Sequence, residues 1–428
     1  MLSDHHLPPA FPPPSTAPAE RAEVCFRAAV WTPNDLGRLI SELARSGAGL
    51  REVSDDDLLA AWGATVEAFL DPSSPERRAL DPALATMTAL SPEGLAAGLE
   101  AVLGGVRRGP AAAFLERARR RSEGGPALET PALVVLAGNL PALAVQPLLP
   151  ALALRRPALL KSSSAEPLFA PAFLAALVHR EPRLGGALAA AAWAGGDEAL
   201  EAPVLAGCGR VLAYGGVEAV AGLARRAPGK VIAYGPKLSL AAVGRDVAPE
   251  AVAAGLARDV ALFDQRGCLS IVAVYREGPT ADSAALGRAL AAALAERARA
   301  WPPGPSDSAA LGAVQQVRLE AAMRGIECSS GLPLAAGTVL VEPDPALRPG
   351  PGLRTVAVHP LPDLAALPEI LAPWQGRLQG AALAGEPAWA LAGDLGGLGV
   401  SRVAAPGELQ SPDAAWFNGG IDPLAALG

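Results

Sequence analysis

The sequence predicts an α/β protein containing a Rossmann-type layer, and three observations predict it. From Pro131 onward, short apolar runs alternate with helix-like segments of about 10–15 residues. Each run ends in a loop rich in glycine, serine or asparagine. After Gly235 a second α/β texture begins, with apolar runs of its own. Alternation of this kind gives right-handed βαβ units and a parallel sheet.

The elements follow in order. Residues 1–20, MLSDHHLPPAFPPPSTAPAE, are proline-rich and expected to be irregular; they show neither the basic nor the apolar segment of an export signal. From about Ala22 to Arg121 the pattern is helical. DDDLLAAWGATVEAFL and SPEGLAAGLEAVLGGVRR start on Ser or Asp and repeat apolar residues every three or four positions. Strands are then expected at LVVLAG (133–138), ALLK (158–161), ALAAAAW (187–193), RVLAY (210–214) and KVIAYG (230–235). Beyond them LSLAAVG, SIVAVY, TVLVE (338–342), RTVAVHP (354–360) and GAALAG (380–385) supply the second unit, and the tail returns to a strand followed by turns.

Bulk composition narrows the function classes. The 428 residues suit two or three domains, and a hydrophobic share of 51% fills large cores. A net charge of −7 without any basic block argues against nucleic-acid binding. The four cysteines, Cys25, Cys208, Cys268 and Cys328, are scattered without a CxxC pair, so neither a metal site nor a disulfide framework is expected, and a reducing cytoplasm is. The most apolar stretch, PALVVLAGNLPALAVQPLLPALALRRPALL, is interrupted by Asn139, Gln146, Arg155, Arg156 and prolines, which suits buried strands and helices rather than a membrane span.

Four loops carry candidate chemistry. In FDQRGCLS, Cys268 follows a glycine between a helix-like run and a strand-like one. A nucleophilic thiol needs access and nearby cationic or dipolar groups, whereas a structural cysteine needs only packing; both readings are open here. Asn139 in GNLP follows a predicted parallel strand, where α/β proteins place ligands, and its amide either stabilises an oxyanion or forms a turn. Lys161 with Ser162, Ser163 and Ser164 either holds ribose and phosphate oxygens or is a solvated loop. Gly215-Gly216 opens a helix, a geometry that admits phosphate to backbone N–H groups, though without GxGxxG spacing. His359 is either a proton carrier or structural, Glu218 a helix-dipole partner or a base, and Trp416 a cover over the site or a packing residue.

Together these segments carry a resemblance. GNLP, LLKSSS, LAYGGVEAV, AYGPK and FDQRGCLS, in that order, resemble the loops of the aldehyde dehydrogenase superfamily. LLKSSSAEPLFAP, WAGGDEALEAPVLA, ARDVALFDQRGCLS and GVSRVAAPGELQSPDAAWFNGG are similar to its acyl-CoA reductase branch, the LuxC-type fatty acid reductases, from about Leu133 to the C-terminus. The resemblance implies an aldehyde dehydrogenase-like fold: a helical region and NADP-binding Rossmann-like domain over 21–235, and a catalytic α/β domain over 236–399. Residues 400–428 would pack back or mediate oligomer contacts. It implies that Cys268 takes the acyl group from acyl-CoA or an acyl-carrier protein, that Asn139 and the Cys268 backbone N–H hold the oxyanion, and that NADPH reduces the thioester to aldehyde. Lys161, Ser163, Ser164, Gly215, Gly216 and Gly235 would bind the cofactor. A homo-oligomer, and possible delivery of the acyl group by a separate transferase subunit, come with the same resemblance.

Departures refine that picture. Oxidising relatives carry a general-base Glu where Ala233 stands in Ala233-Tyr234-Gly235-Pro236-Lys237, so water attack on the acyl-enzyme should be slow. NAD-dependent members place Glu where Ser164 stands; a serine removes repulsion of a 2′-phosphate, and Lys161 can pair with it. Ile271 stands where the reductase branch has a proline after Ser270, and KSSS where it has KPSS. Two alternatives stay open: the oxidative direction, from aldehyde to acyl-CoA, and a non-catalytic acyl-binding or scaffold protein.

Overall fold

The computed structural model describes residues 2–122, 130–331 and 334–428. Two sheets organise it. The first is five-stranded and wholly parallel, built from β3 (Ala132–Val135), β4 (Ala158–Ser162), β5 (Leu188–Ala192), β6 (Arg210–Tyr214) and β7 (Val231–Tyr234), after a hairpin of β1 (Thr16–Arg21) and β2 (Val24–Ala29). Its order is β5-β4-β3-β6-β7, so the chain winds outward to β5 and then returns to the other side of β3. The gap between the carboxyl ends of β3 and β6 is the switch point at which open α/β sheets bind ligands.

The strands form where expected because each is a run of β-compatible apolar residues buried on both faces. Along β3, Ala132 and Val134 enter one core while Leu133 enters the other, the two-residue alternation of a strand. Helices 145–153 and 169–180 and those at 55–70, 75–88, 92–104 and 108–122 cover the first face. Helices 33–46, 198–207 and 217–226 cover the second.

The second sheet contains β8 (Leu238–Val243), β9 (Ile271–Glu277), β10 (Cys328–Ser330), β11 (Thr338–Val341), β12 (Thr355–Leu361), β13 (Leu378–Ala384) and β14 (Arg402–Ala404). It runs β10-β11-β12-β9-β8-β13-β14, parallel except at β10. Helices 249–261 and 280–300 shield one face, so the Ala/Arg-rich segment around 283–300 sends Leu286, Leu290 and Leu294 into the core.

Two sequence expectations need correction. Residues 1–20 are not irregular throughout, because Thr16–Arg21 pairs with Val24–Ala29 in a hairpin. Its two turn residues, Ala22 and Glu23, both have positive φ (47° and 66°), the backbone of a tight hairpin turn without the usual Asn-Gly signal. Farther upstream, His6 exchanges two 2.9 Å backbone hydrogen bonds with Ala190 and so covers the β5 edge. The second sheet also extends past residue 399, since β14 pairs with β13 along Gly380–Ala382.

After β14 the tail crosses back to the first unit. Gly255 and Gly105 let it pass closely: a Cβ on Gly255 would stand 2.4 Å from the Pro406 carbonyl, and one on Gly105 2.0 Å from that of Pro412. The end is fixed by buried Arg156, which donates to the carbonyls of Thr130 and Leu427.

Candidate active site

One cavity of about 720 Å³ lies between the two sheets. Its walls bring together Cys268, Asn139, Lys161, Ser163, Ser164, Gly215, Gly216 and Gly235. Residues separated by more than a hundred positions converge because both units present strand ends and loops to the same cleft.

The first unit contributes open backbone. Gly138 touches the serine loop: a Cβ there would lie 2.6 Å from Ser163 Oγ and 2.7 Å from Ala165 Cβ, so only glycine lets the loops after β3 and β4 meet. Ser163 Oγ accepts the Ala165 N–H at 3.1 Å and braces its own turn. Gly216 caps helix 217–226 without any side-chain hydrogen bond and with open space around it. Gly216 lines the cavity, so a helix start without a side-chain cap opens there, which suits an anion. Lys161 is buried with Nζ over the Trp193 ring at 5.1 Å, and burial lowers its pKa.

The second unit contributes a tightly held loop. Phe263, Asp264 and Gln265 take positive φ in succession (56°, 50° and 64°), a conformation that costs non-glycine residues about 1–3 kcal/mol each. Side chains hold it there. Asp264 accepts Arg354 Nη2 at 2.7 Å and the Gly304 N–H at 3.0 Å. Gln265 Nε2 donates to the carbonyls of Ile271 and Thr355, and its Oε1 accepts the Thr355 N–H, at 2.8, 2.8 and 2.9 Å. Arg266 donates to the carbonyls of Phe263, Thr88 and Ala89. Ser239 Oγ donates to the Cys268 carbonyl at 2.8 Å.

Cys268 ends up half-buried on the cavity wall. Burial pushes its thiol up to about 11, while its own backbone N–H, Lys237 and the Leu269 N–H pull the other way. Asn139 Nδ2 donates to the Arg266 carbonyl at 2.9 Å, which ties the GNLP loop to the cysteine loop. An amide nitrogen carries two hydrogens, so a second donor remains beside the thiol's loop.

Several contributors were not singled out from sequence. Tyr214 and Tyr234 stack at 4.5 Å with their rings 7° apart, and both line the cavity. Gln379 Nε2 donates to Asn418 Oδ1 at 2.7 Å beside Trp416, whose Nε1 donates to the Ser401 carbonyl at 3.2 Å. Trp416, which the sequence did single out, lines the cavity and packs against the core of the second sheet. Lys237 also lines the cavity. The signal for these residues was their place at strand ends, which marks a loop but not its aim. His359 takes the structural reading: its Nδ1 bonds the Asp344 carbonyl at 2.7 Å and its ring stacks on Tyr275, away from the cavity. Glu218 is exposed at the start of its helix and is not among the lining residues.

Among the described residues, no Asp, Glu or His lines the cavity. Ala233 is exposed on β7 and lies outside it. Among the same residues, no group of three or more His, Cys, Asp or Glu is placed to hold a metal ion. Among the described residues, no helix is long and apolar enough to cross a membrane.

Comparison with known proteins places this arrangement. A model of the acyl-CoA reductase (LuxC) family matches residues 65–428. Salicylaldehyde dehydrogenase from Pseudomonas putida, solved with salicylaldehyde, has a TM-score of 0.73 at 15% identity, over 99% of this chain and 93% of that one. The NADP-dependent glyceraldehyde-3-phosphate dehydrogenase of Bacillus halodurans, complexed with NADP, gives 0.71 at 14% identity, over 92% and 87%. An aldehyde dehydrogenase of Pseudomonas syringae, complexed with NAD+ and octanal, gives 0.70 at 14%, over 94% and 88%. No curated protein matches in sequence. The fold is that of aldehyde dehydrogenases, and the chain belongs to the LuxC acyl-CoA reductase family. Family and fold together support oxidoreductase chemistry on acyl and aldehyde groups.

Proposed function

We propose, with membership of the LuxC family as premise, that the protein reduces a fatty acyl thioester to its aldehyde through an acyl group carried on Cys268, with NADPH as reductant. One observation carries the reading: Cys268, Asn139, Lys161 and the open Gly215-Gly216 turn line a single cavity. An acyl-enzyme and a dinucleotide need to share such a cavity, with the thioester carbon at the junction.

The residues present fit the dinucleotide. The uncapped helix start at Gly216 suits its pyrophosphate, and the Lys161 ammonium with Ser164 beside it suits a 2′-phosphate. When bound, the nicotinamide supplies the hydride. The chain does the rest. Cys268 Sγ attacks the thioester carbon and the donor thiol, from coenzyme A or a carrier protein, departs. The unclaimed Asn139 N–H and the Cys268 backbone N–H serve the oxygen that becomes negative. Among the described residues no carboxylate lines the cavity to activate water, which favours an acyl group that waits for reduction.

The test is to incubate the protein with acyl-CoAs of graded length and read its mass before and after adding NADPH. The expected result is one acyl adduct, absent in Cys268→Ala, that disappears with aldehyde release on NADPH. Adduct formation persisting in Cys268→Ala, or an adduct indifferent to NADPH, would overturn the proposal. No adduct from any acyl-CoA would instead favour an acyl-binding protein without turnover.

A further inference from the structure

Parallel strands β8 and β9 pair with Ser239 opposite Ile271, so the segments entering them lie side by side. Lys237 precedes Ser239 by two residues and Cys268 precedes Ile271 by three. Ser239 Oγ donates to the Cys268 carbonyl, which ties the start of β8 to the cysteine loop. Lys237 and Cys268 accordingly line the same cavity and act electrostatically on one another. The ammonium rests against the Asn418-Gly419-Gly420 turn, with Nζ 3.7 Å from where a Gly419 Cβ would stand.

Among the described residues, no hydrogen bond or ion pair claims this lysine. Burial lowers its pKa, and Cys268, once ionised, pulls it back up. The other polar groups that face the thiol's surroundings are unsuited to the same part. Arg266 is committed to three carbonyls, and Lys161 lies over Trp193. Tyr214 and Tyr234 are held neutral, since burial raises both phenols, Tyr234 to about 12. Acyl transfer nonetheless needs somewhere to put a proton, because a thiol must lose one and a departing thiolate must gain one.

We infer that Lys237 is the ionic partner of the Cys268 thiolate and carries the proton that acyl transfer moves between Cys268 and the departing thiol. This rests on the acyl-transfer reading above. In its neutral form the Lys237 amine takes the Cys268 proton. The sulfur then bonds to the thioester carbon, the carbon–sulfur bond of the donor breaks, and the new ammonium returns the proton to the donor thiolate. After reduction, Cys268 leaves the carbon as a thiolate, and one proton from solvent resets the pair, matching the single proton that reduction of a thioester by NADPH consumes. An imidazole or carboxylate is not required.

Two readouts separate this inference from the reading beneath it. The first needs no acyl group: alkylation of Cys268 by iodoacetamide, followed by peptide mass against pH, with exposed Cys25 as internal reference. Lys237→Met is expected to alkylate about tenfold more slowly at pH 8, the loss of thiolate that one pH unit represents. Lys237→Arg, which keeps the charge, should alkylate like the parent. The second is acylation by an acyl-CoA without reductant. There Lys237→Arg should be slowed at least about tenfold, because a guanidinium does not give up its proton. Superimposable alkylation profiles for Lys237→Met and the parent would overturn the ionic pairing. Acylation of Lys237→Arg at the parent rate would overturn the proton transfer. Failure of the parent itself to acylate, with the alkylation difference intact, would count against the acyl-transfer reading alone. Unfolding of a variant would show as rapid alkylation of buried Cys208.

Discussion

The two walls of the cavity are built on opposite principles. The wall from the first sheet works by leaving atoms out. Gly138 permits two loops to touch, and Gly216 leaves a helix start bare. The wall from the second sheet works by adding bonds. Phe263, Asp264 and Gln265 hold a backbone that side chains of their kind resist, and the bonds of Asp264, Gln265 and Arg266 offset that resistance. A ligand that is gripped through its phosphates needs space and N–H groups, both of which glycine gives. A nucleophile needs one position, which only an over-determined loop gives.

Breaking the bonded wall should have the largest effect. The Asp264–Arg354 pair is almost wholly buried, with side-chain exposures of 8% and 1%. Arg354→Met leaves the carboxylate the Gly304 N–H and a looser ion pair with Arg266 at 3.9 Å, and a buried charge deprived of its main partner costs up to about 3–5 kcal/mol. Arg354 is itself at φ +58°, so the substitution also removes the bond that holds its strained backbone. Urea unfolding should register that loss, together with slower acyl labelling of Cys268. Unchanged stability would mean that the loop is held by Gln265 and Arg266 alone. The double variant Asp264→Leu with Arg354→Met should recover part of the stability and none of the labelling.

The same contrast explains what could be read in the sequence. Strand β6 begins and ends at Arg210 and Tyr214 as expected, because a short apolar run between turns has few other ways to bury itself. The glycine and lysine loops were legible because strand ends in α/β sheets face ligands regardless of detail. Cys268 drew notice through the glycine before it and its place between two regular elements, yet the roles of Asp264, Gln265 and Arg266 were hidden. Their partners Arg354, Thr355, Thr88 and Ala89 are remote in sequence, and no local pattern announces three left-handed residues without glycine. Lys237 was visible as part of a turn, while its approach to Cys268 depends on the pairing of β8 with β9. The hairpin at Thr16–Ala29 was missed for a related reason: Ala22-Glu23 is poor turn chemistry, and the fold overrides it.

The tail that spans both walls offers a smaller test, with pH as the variable. Asp259 Oδ2 accepts the Gly407 N–H at 2.6 Å, its carbonyl accepts Gln410 Nε2 at 2.6 Å, and Ser270 Oγ donates to Gln410 Oε1 at 3.3 Å, so the tail is linked to the cysteine loop through this residue. Burial raises the Asp259 carboxyl to about 6, against the pull of its hydrogen bonds and of Arg258; Arg402 also feels its charge. A carboxyl whose pKa is higher folded than unfolded favours the fold while both states are protonated. That advantage is lost as pH rises from about 4, where the unfolded chain ionises, to about 6. Asp259→Asn keeps an oxygen for the Gly407 N–H and removes the ionisation. It should be more stable than the parent by about 2 kcal/mol at pH 8, with the gain vanishing at pH 4. A gain that is the same at both values would show that the carboxyl does not titrate in this range.

The smallest expected effect comes from filling the open wall. In Gly138→Ala the new methyl would meet Ser163 Oγ at 2.6 Å, Ala165 Cβ at 2.7 Å and Ser163 Cβ at 3.0 Å. The hydroxyl can rotate, but the two Cβ atoms cannot retreat without moving the Lys161–Ser164 loop. That loop is the one proposed to hold the ribose and its phosphate, so the variant should raise KM for NADPH by about tenfold, roughly 1.4 kcal/mol of lost binding. Acylation of Cys268 in the absence of reductant should change little, since the bonded wall is untouched. Asn139 stands next to the substitution and reaches that wall through a hydrogen bond to the Arg266 carbonyl, which gives damage a direct route by which to spread. If labelling of Cys268 falls in step with NADPH binding, that bond couples the two walls, and the cavity is one mechanical unit rather than two independent halves.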